Sequence, residues 1–502
     1  MIFSFEEKKE IPKLSWCAIM EEYSKVVHLI HGSWVEVNGH FFVEGIWDYS
    51  FSEGLIDRSF ILMGSGGRID NGSIIFASPC HTLDRLHYIF KENKLYVSNS
   101  IAFVLAQAKL FPDFNYMHYI SDFESIYAGI DRYIADIPLE NGFLLHLAYY
   151  QNLIVNEYLN VQVEQKQLPP NFDSFASYKQ FLTDSLTMLS KNANDESRRI
   201  NYSALATISR GYDSTATAAL AKMTGCTKTL TVAGPGKFVH DCGTDIAKMF
   251  GYDDIVELMV DAYKQDQQKM IEPLFMASGE LGTDVFWASY EKHLPGTYVI
   301  TGTNGDQVWE VNKRPSTTMK RPLYAAGTSL GEYRLRTGFI QVPVPFFGCI
   351  NHPEIHRISI SKEMASWRIG NDYDRPIPRR IVEEMGIERD QFGNRKIGIG
   401  FNVKWYPLFM IRKEMCQHSY KSFIKYYREN AGRRSIKKKI VQGLKFTLYA
   451  SPIYINHFML RIPGLQSFSV PYIFPGKFSD NPFASSYLFY WGLYHSIKQY
   501  LK

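Results

Sequence analysis

The chain has 502 residues, 45% of them hydrophobic and 21% charged, with 55 basic against 51 acidic side chains. That length holds roughly two or three domains with sizeable cores, and the balance is that of a soluble globular protein rather than a low-complexity chain. A net charge of +4 gives no argument for nucleic acid as a partner.

No apolar run approaches bilayer-spanning length. Cys17, Cys80, Cys226, Cys242, Cys349 and Cys416 form no CxxC pair. This fits reduced thiols in a cytoplasm better than a disulfide framework or a zinc site. The first residues, MIFSFEEKKEIPK, lack the basic-then-apolar order of a secretory signal.

Residues from Cys17 to about Asn160 read as mainly β. Ser33–Val37 and His40–Gly45 flank Asn38-Gly39, a hairpin signal, and Tyr88–Phe90 and Leu95–Ser98 flank the polar turn KENK. Gly64-Ser65-Gly66-Gly67 reads as a structural turn, since no helix pattern follows it. Ser98–Ala106 reads as a short strand running into a helix. Gln162–Asp173, with Pro169-Pro170, reads as an interdomain linker. These features divide the chain into residues 1–165 and 174–502.

Asp173 or Ser174 then caps a helix whose apolar side carries Phe175, Tyr178, Phe181, Leu182 and Leu189. Beyond it, Ala204–Ile208, Thr229–Ala233, Ile255–Val260 and Tyr298–Thr301 alternate with helical stretches. That alternation predicts a parallel sheet wrapped by helices, with ligands at the carboxyl ends of its strands. At the first of those ends stands Ser209-Arg210-Gly211-Tyr212-Asp213-Ser214-Thr215. A helix N-terminus offers unpaired N–H groups and partial positive charge to a phosphate. Gly211 admits close backbone approach, and Ser209, Ser214 and Thr215 add hydroxyls. Asp213 suits such a place if Mg2+ lies between it and the phosphates. Taken alone, the loop also fits an ordinary helix cap.

After the strand Tyr298–Thr301 comes Gly302-Thr303-Asn304-Gly305-Asp306-Gln307. A surface turn explains this string equally well in isolation. Its place at a later strand end lets Asp306 face the same phosphates as Asp213. Further on, Gly432–Val441 is strongly basic, which fits peripheral contact with an anionic membrane, contact with nucleic acid, or a solvated helix face. Ser486–Gln499, with Leu488, Trp491, Leu493 and Ile497, reads as a core helix followed by Tyr500.

The loop Ser209–Ser214 resembles the SGGxDS loop of the PP-loop ATP pyrophosphatases, with Arg210 in place of the first glycine. GTNGDQ is similar to the GEGxDE loop of their asparagine synthetase-like branch, with Thr303 and Gln307 replacing its two glutamates. Val342–Gly348, VPVPFFG, resembles the RVPFLD segment of that branch. Pro376–Lys396 resembles the region that ends in its basic pair. The resemblance implies a doubly wound parallel-sheet synthetase domain over residues 174–502. It implies ATP bound by Ser209, Arg210, Gly211, Asp213, Ser214, Thr215, Val232, Gly302 and Gly305. Asp213 and Asp306 would hold Mg2+, and Lys396, supported by Arg395, would stabilise charge in the reaction.

Ser98–Ala106 is similar to a segment of the glutaminase domain that precedes the synthetase in this branch. Residues 1–165 would then be a mainly β, Ntn-like domain. That glutaminase needs an N-terminal cysteine, whose α-amine serves its own thiol as base; this chain reads Met1-Ile2-Phe3 and its first cysteine is Cys17. The domain thus resembles the degenerate ones of β-lactam synthetases and lasso-peptide cyclases. Gln341 falls where asparagine synthetases place a glutamate, and a glutamine cannot take a proton.

The expectation is an α/β and α+β protein acting as an ATP-dependent amide-forming ligase. Its substrates would be a small-molecule or peptide carboxylate and an amine or ammonia. An RNA-modifying PP-loop enzyme and a non-catalytic scaffold retaining the fold are the other readings. Paired catalytic cysteines, usual in the former, are absent from the sequence. The protein is expected to release no glutamate from glutamine. Glutamate release above background that Cys17→Ala abolishes would overturn this.

Overall fold

In a computed structural model of the protein, the described residues are 1–234, 241–265, 269–280, 282, 284–322, 325–393, 408–433, scattered positions from 435 to 459, and 485–501. Two sheets build the first part of the chain. One runs Ile2–Glu7, Val26–His31, Trp16–Glu21, Lys94–Ser98, Leu86–Lys91, Leu144–Ala148, Asp136–Pro138, antiparallel except for its first pair. The other runs Val161–Gln165, Gln151–Val155, Ser73–Ala77, Met63–Asp70, Phe41–Ile46, Glu36–Val37, antiparallel throughout. Period-2 alternation sends Trp16, Ala18 and Met20 of one sheet and Phe42, Ile74 and Phe76 of the other into one shared core. The opposite face of the first sheet packs on the helix Ile101–Ala108, whose Ser100 cap accepts from Phe103 N at 2.9 Å.

The expected hairpins form, with differences in their turns. Lys91 pairs with Lys94, and Glu92 at φ 56° makes the tight two-residue connection. Around Asn38-Gly39 the first strand is shorter, Glu36–Val37, and the second is shifted by one residue, Phe41–Ile46. Asn38 Oδ1 accepts from His40 N at 2.8 Å and Phe41 N at 3.0 Å, so a side chain rather than a left-handed glycine turns the chain. Gly64–Gly67 is not a turn: it lies inside the strand Met63–Asp70. Backbone pairing with strands on either side makes it so, and crowding explains the glycine, because a Cβ at Gly67 would sit 2.6 Å from the Phe42 ring. The first third of the expected linker is also strand, since Val161–Gln165 pairs with Gln151–Val155; backbone pairing at a sheet edge asks for no apolar pattern.

Ser174 caps the helix Phe175–Ala193, and its expected apolar side is buried. A five-stranded, fully parallel sheet follows, ordered Asp254–Met259, Lys228–Ala233, Ser203–Thr207, Thr297–Thr301, Phe339–Pro343. Four strands match the expected segments within a residue; the fifth was not anticipated. Ala206, Ile300 and Ile340 face one core, and Leu205, Val299 and Phe339 face the other. A parallel sheet buried on both sides is the expected outcome of such near-continuous apolar strands. The order of strands reverses between Ser203–Thr207 and Thr297–Thr301, which makes their carboxyl ends the crevice of the sheet.

Helix Ser486–Ile497 is buried as expected: Leu488, Trp491 and Leu493 lie in the core, and Tyr500 OH donates to Glu332 at 3.0 Å. Among the described residues no helix is long and apolar enough to cross a membrane. All six cysteines are free thiols, and burial pushes the Cys17 thiol far up. The described residues of the basic segment near Gly432–Val441 are exposed; Arg434, Lys438 and Lys439 lie outside the described residues.

Buried charge crosses from the first two sheets to the rest of the chain. Arg334 donates to Glu44 at 2.7 and 3.0 Å and also to Asp84, with its side chain 3% exposed. Removing one partner of a buried pair leaves the other charged and unpaired, at a cost of about 3–5 kcal/mol. Arg334→Met is expected to lower stability by that amount in urea unfolding, with partial recovery in Arg334→Lys. An unchanged midpoint would show that the network contributes little.

Candidate functional site

The helix Tyr212–Met223 starts at the carboxyl end of Ser203–Thr207, with Gly211 as its cap. The loop before it is fixed by its own hydroxyls. Ser209 Oγ lies 2.7 Å from Ser214 Oγ and accepts from Gly211 N at 3.1 Å. Thr215 Oγ1 reaches Ser209 O at 2.6 Å and Gly211 O at 2.5 Å. One strand over, Asn304 adopts φ 78°, a left-handed conformation that asparagine tolerates, and the short helix Gly305–Val308 follows.

The two loops touch through glycine. A Cβ at Gly302 would stand 2.5 Å from Ser214 N and 2.7 Å from Asp213 O. A Cβ at Gly305 would stand 2.5 Å from Asp213 Oδ1. Any larger residue at either position must push the loops apart. Two strand ends distant in sequence thereby become one cradle.

A cavity of about 460 Å³ opens on this cradle. Of the expected site residues, Ser209, Gly211, Asp213, Ser214, Val232, Gly302 and Asp306 line it. Gly305 stands behind them, against Asp213. Arg210 differs from its expected role: its guanidinium donates to Cys242 O at 3.1 Å and to Asp245 at 2.9 Å and does not reach the cavity. Thr215 also differs, since its buried hydroxyl is committed to the loop's own carbonyls. Gln341 is buried in the last strand and does not line the cavity. Arg395 and Lys396 lie outside the described residues.

Several lining residues were not foreseen. Arg375, 2% exposed at its side chain, pairs with Asp213 and donates to Glu310 at 3.2 Å. Its guanidinium lies 4.7 Å from the Tyr373 ring. Burial disfavours its charge, but Asp213 and then Tyr373 more than offset this and hold it protonated. Burial, then the nearby Asp213, pushes the Tyr373 phenol up. Asp241 and the aromatic wall of Phe286, Trp287 and Tyr290 also line the cavity. Arg375 and Tyr373 come from an irregular stretch whose sequence carries no period to place it.

The donor set fits a hard cation in one way. Among the described residues no group of three or more His, Cys, Asp or Glu is gathered for a metal. Asp213 and Asp306 supply two carboxylates, which suits Mg2+ completed by substrate phosphates and water rather than by protein alone. Arg375 would share Asp213 with it. Neither the models of known protein families nor the curated proteins give a match to this chain.

Gly302→Ala is expected to cost about 1–3 kcal/mol of stability, as overpacking does, and to open the cradle. On the expectation from the sequence that ATP binds here, the substitution should remove that binding in calorimetry, whereas Gly39→Ala, at a glycine with open space around it and no left-handed φ, should leave it intact. ATP binding that survives Gly302→Ala would show that loop contact is not required.

Proposed function

We propose that the protein is an ATP-dependent amide-forming ligase of the asparagine synthetase-like kind. In this reading residues 174–502 form a PP-loop synthetase domain and residues 1–165 a degenerate Ntn-like glutaminase domain. The observation that carries it is the contact of Gly302 and Gly305 with Asp213, which joins two strand-end loops into one cradle at the switch point of a parallel sheet. Such crevices take nucleotides, and helix N-termini take phosphate.

ATP would place its phosphates against Ser209, Gly211, Ser214 and Gly302, with Val232 beside the nucleoside. Mg2+, held by Asp213 and Asp306, would neutralise phosphate charge. A substrate carboxylate oxygen attacks the α-phosphorus, the bond to the β-phosphate oxygen breaks, and pyrophosphate leaves. The amine then attacks the acyl carbon, the carbon–oxygen bond to AMP breaks, and an amide forms. Arg375 keeps one fixed positive charge beside the cradle. Lys396, by the resemblance, stabilises charge that develops on the reacting groups. Holding the reactants together supplies much of the rest.

One observation favours a second reading. Arg375 already occupies Asp213, as it would in a scaffold that keeps the fold and binds no metal.

Pyrophosphate release from ATP, assayed against a panel of carboxylates with amines present, decides between the two. The ligase reading expects release with at least one pair and loss of ATP binding in Asp213→Asn and Asp306→Asn. It also expects Lys396→Ala to keep ATP affinity within a few-fold and lose about 100-fold or more in turnover. ATP binding indifferent to chelator would remove the metal from the proposal. Absence of any ATP binding would favour the scaffold.

A further inference from the structure

Residues 417 to 447 hold nine basic side chains and a single acidic one, Glu429. The whole chain has an excess of only four positive charges, so the rest of it is net acidic by four. Charge gathered in one stretch in this way marks a surface that meets something negative.

The first half of the stretch is a helix fixed to the core. Gln417–Asn430 buries Ser419, Phe423, Tyr426 and Asn430. Phe423 packs on Trp491 with ring centroids 5.7 Å apart, and Trp491 Nε1 donates to Ser422 Oγ at 3.1 Å. Lys421, Lys425 and Arg428 are exposed. Their spacing of four and then three residues sets them in one row, on the face opposite the buried one.

The second half carries exposed apolar side chains. Ile436, Lys437, Ile440, Val441, Gly443, Leu444 and Thr447 are helical. Ile436, Ile440 and Leu444, four residues apart, form one row and are 75%, 60% and 64% exposed. A helix that only meets water keeps such a row for its buried face. Arg433 and Lys437 are exposed close by in the chain. Arg434, Lys438, Lys439 and Lys445 belong to the same sequence and lie outside the described residues.

Nucleic acid would use the charges, but contacts to a phosphate backbone leave an aliphatic row in water. An anionic bilayer uses both. Its head groups attract the bases, and the aliphatic row enters the boundary between head groups and acyl chains. A lysine beside that row lays its methylenes along the apolar surface and keeps its ammonium among the head groups. We propose that the protein docks on the surface of an anionic lipid bilayer through the basic row Lys421, Lys425 and Arg428 and the aliphatic row Ile436, Ile440 and Leu444. The inference is independent of the ligase reading, since none of these six residues lines the cavity at the strand ends.

The full-length protein is sedimented with sucrose-loaded vesicles of phosphatidylcholine, with or without about 30% phosphatidylserine. Binding is expected only to the vesicles with phosphatidylserine, and it should weaken as salt is raised. Lys421→Gln, Lys425→Gln and Arg428→Gln together should weaken it about 100-fold. Ile436→Ser, Ile440→Ser and Leu444→Ser together should weaken it about tenfold or more. All six side chains are exposed, and circular dichroism with urea unfolding checks that both variants stay folded. The inference is overturned if the phosphatidylserine vesicles do not bind, if both lipids bind equally, or if the aliphatic variant binds as the wild type does. Binding of a DNA duplex or a single-stranded RNA without binding of vesicles would assign the charges to nucleic acid and also overturn it. No ATP is present in the assay, so failure here leaves the ligase reading untouched, and failure to bind ATP leaves this surface standing.

Discussion

The structure depends on charge that has been taken out of water where its first two sheets meet the rest of the chain. Arg334 joins Glu44 and Asp84. Arg198 joins Glu36 and donates to Gly45 O at 2.8 Å. Arg321 joins Glu280, with Arg85 near the same carboxylate. Burying an ion pair costs desolvation that its attraction only partly returns, so apolar side chains of the same shape would do as well for stability. What the charges add is register. A slipped interface would leave a guanidinium and two carboxylates unpaired, and that penalty is steep. Glu332 shows the same logic with neutral partners, accepting from Ser100 Oγ at 2.6 Å and Ala102 N at 3.2 Å on one side of the seam. Its burial raises its pKa.

This seam reaches the candidate site. Arg85 donates to Ser278 O at 2.5 Å, and Ile130 N donates to Thr318 O at 2.8 Å. Asp284 accepts from Gly327 N at 2.7 Å and Ser329 N at 2.9 Å. The segments so fixed carry Phe286, Trp287, Tyr290, Pro322, Ala325 and Ala326, which wall the cavity. The first part of the chain therefore shapes the cavity without contributing a group to its lining. The first part of the chain thus has a structural role at a cavity it does not line.

Much of this was legible in the sequence because it rests on local rules. Alternating apolar strands, the Ser174 cap and the glycine-flanked aspartates each act over a few residues, and the parallel sheet brought Asp213 and Asp306 to one crevice. What was illegible depends on long-range approach. Gly64–Gly67 carries a turn's composition, yet pairing with Phe41–Ile46 and Ser73–Ala77 makes it strand. Arg210 looked like a phosphate ligand until Asp245 and Cys242 O claimed it, from residues far along the chain. Arg375 could not be placed at all, since nothing in RIGNDYDR reports that Asp213 lies beside it.

Arg375 is also where the electrostatics of the site converge. Asp213, Asp241 and Asp306 line one cavity, and three carboxylates alone would repel a polyphosphate. A guanidinium is not deprotonated in a protein, so Arg375 supplies positive charge at every working pH. Its contact with the Tyr373 ring and its hydrogen bond to Glu310 hold it in place. On the proposed reading, a divalent cation therefore adds to a fixed charge instead of acting alone. The cavity would tolerate partial loss of the metal better than one built on carboxylates only. It would tolerate loss of Arg375 worse, because Asp213 would then stand beside the phosphates without its permanent partner.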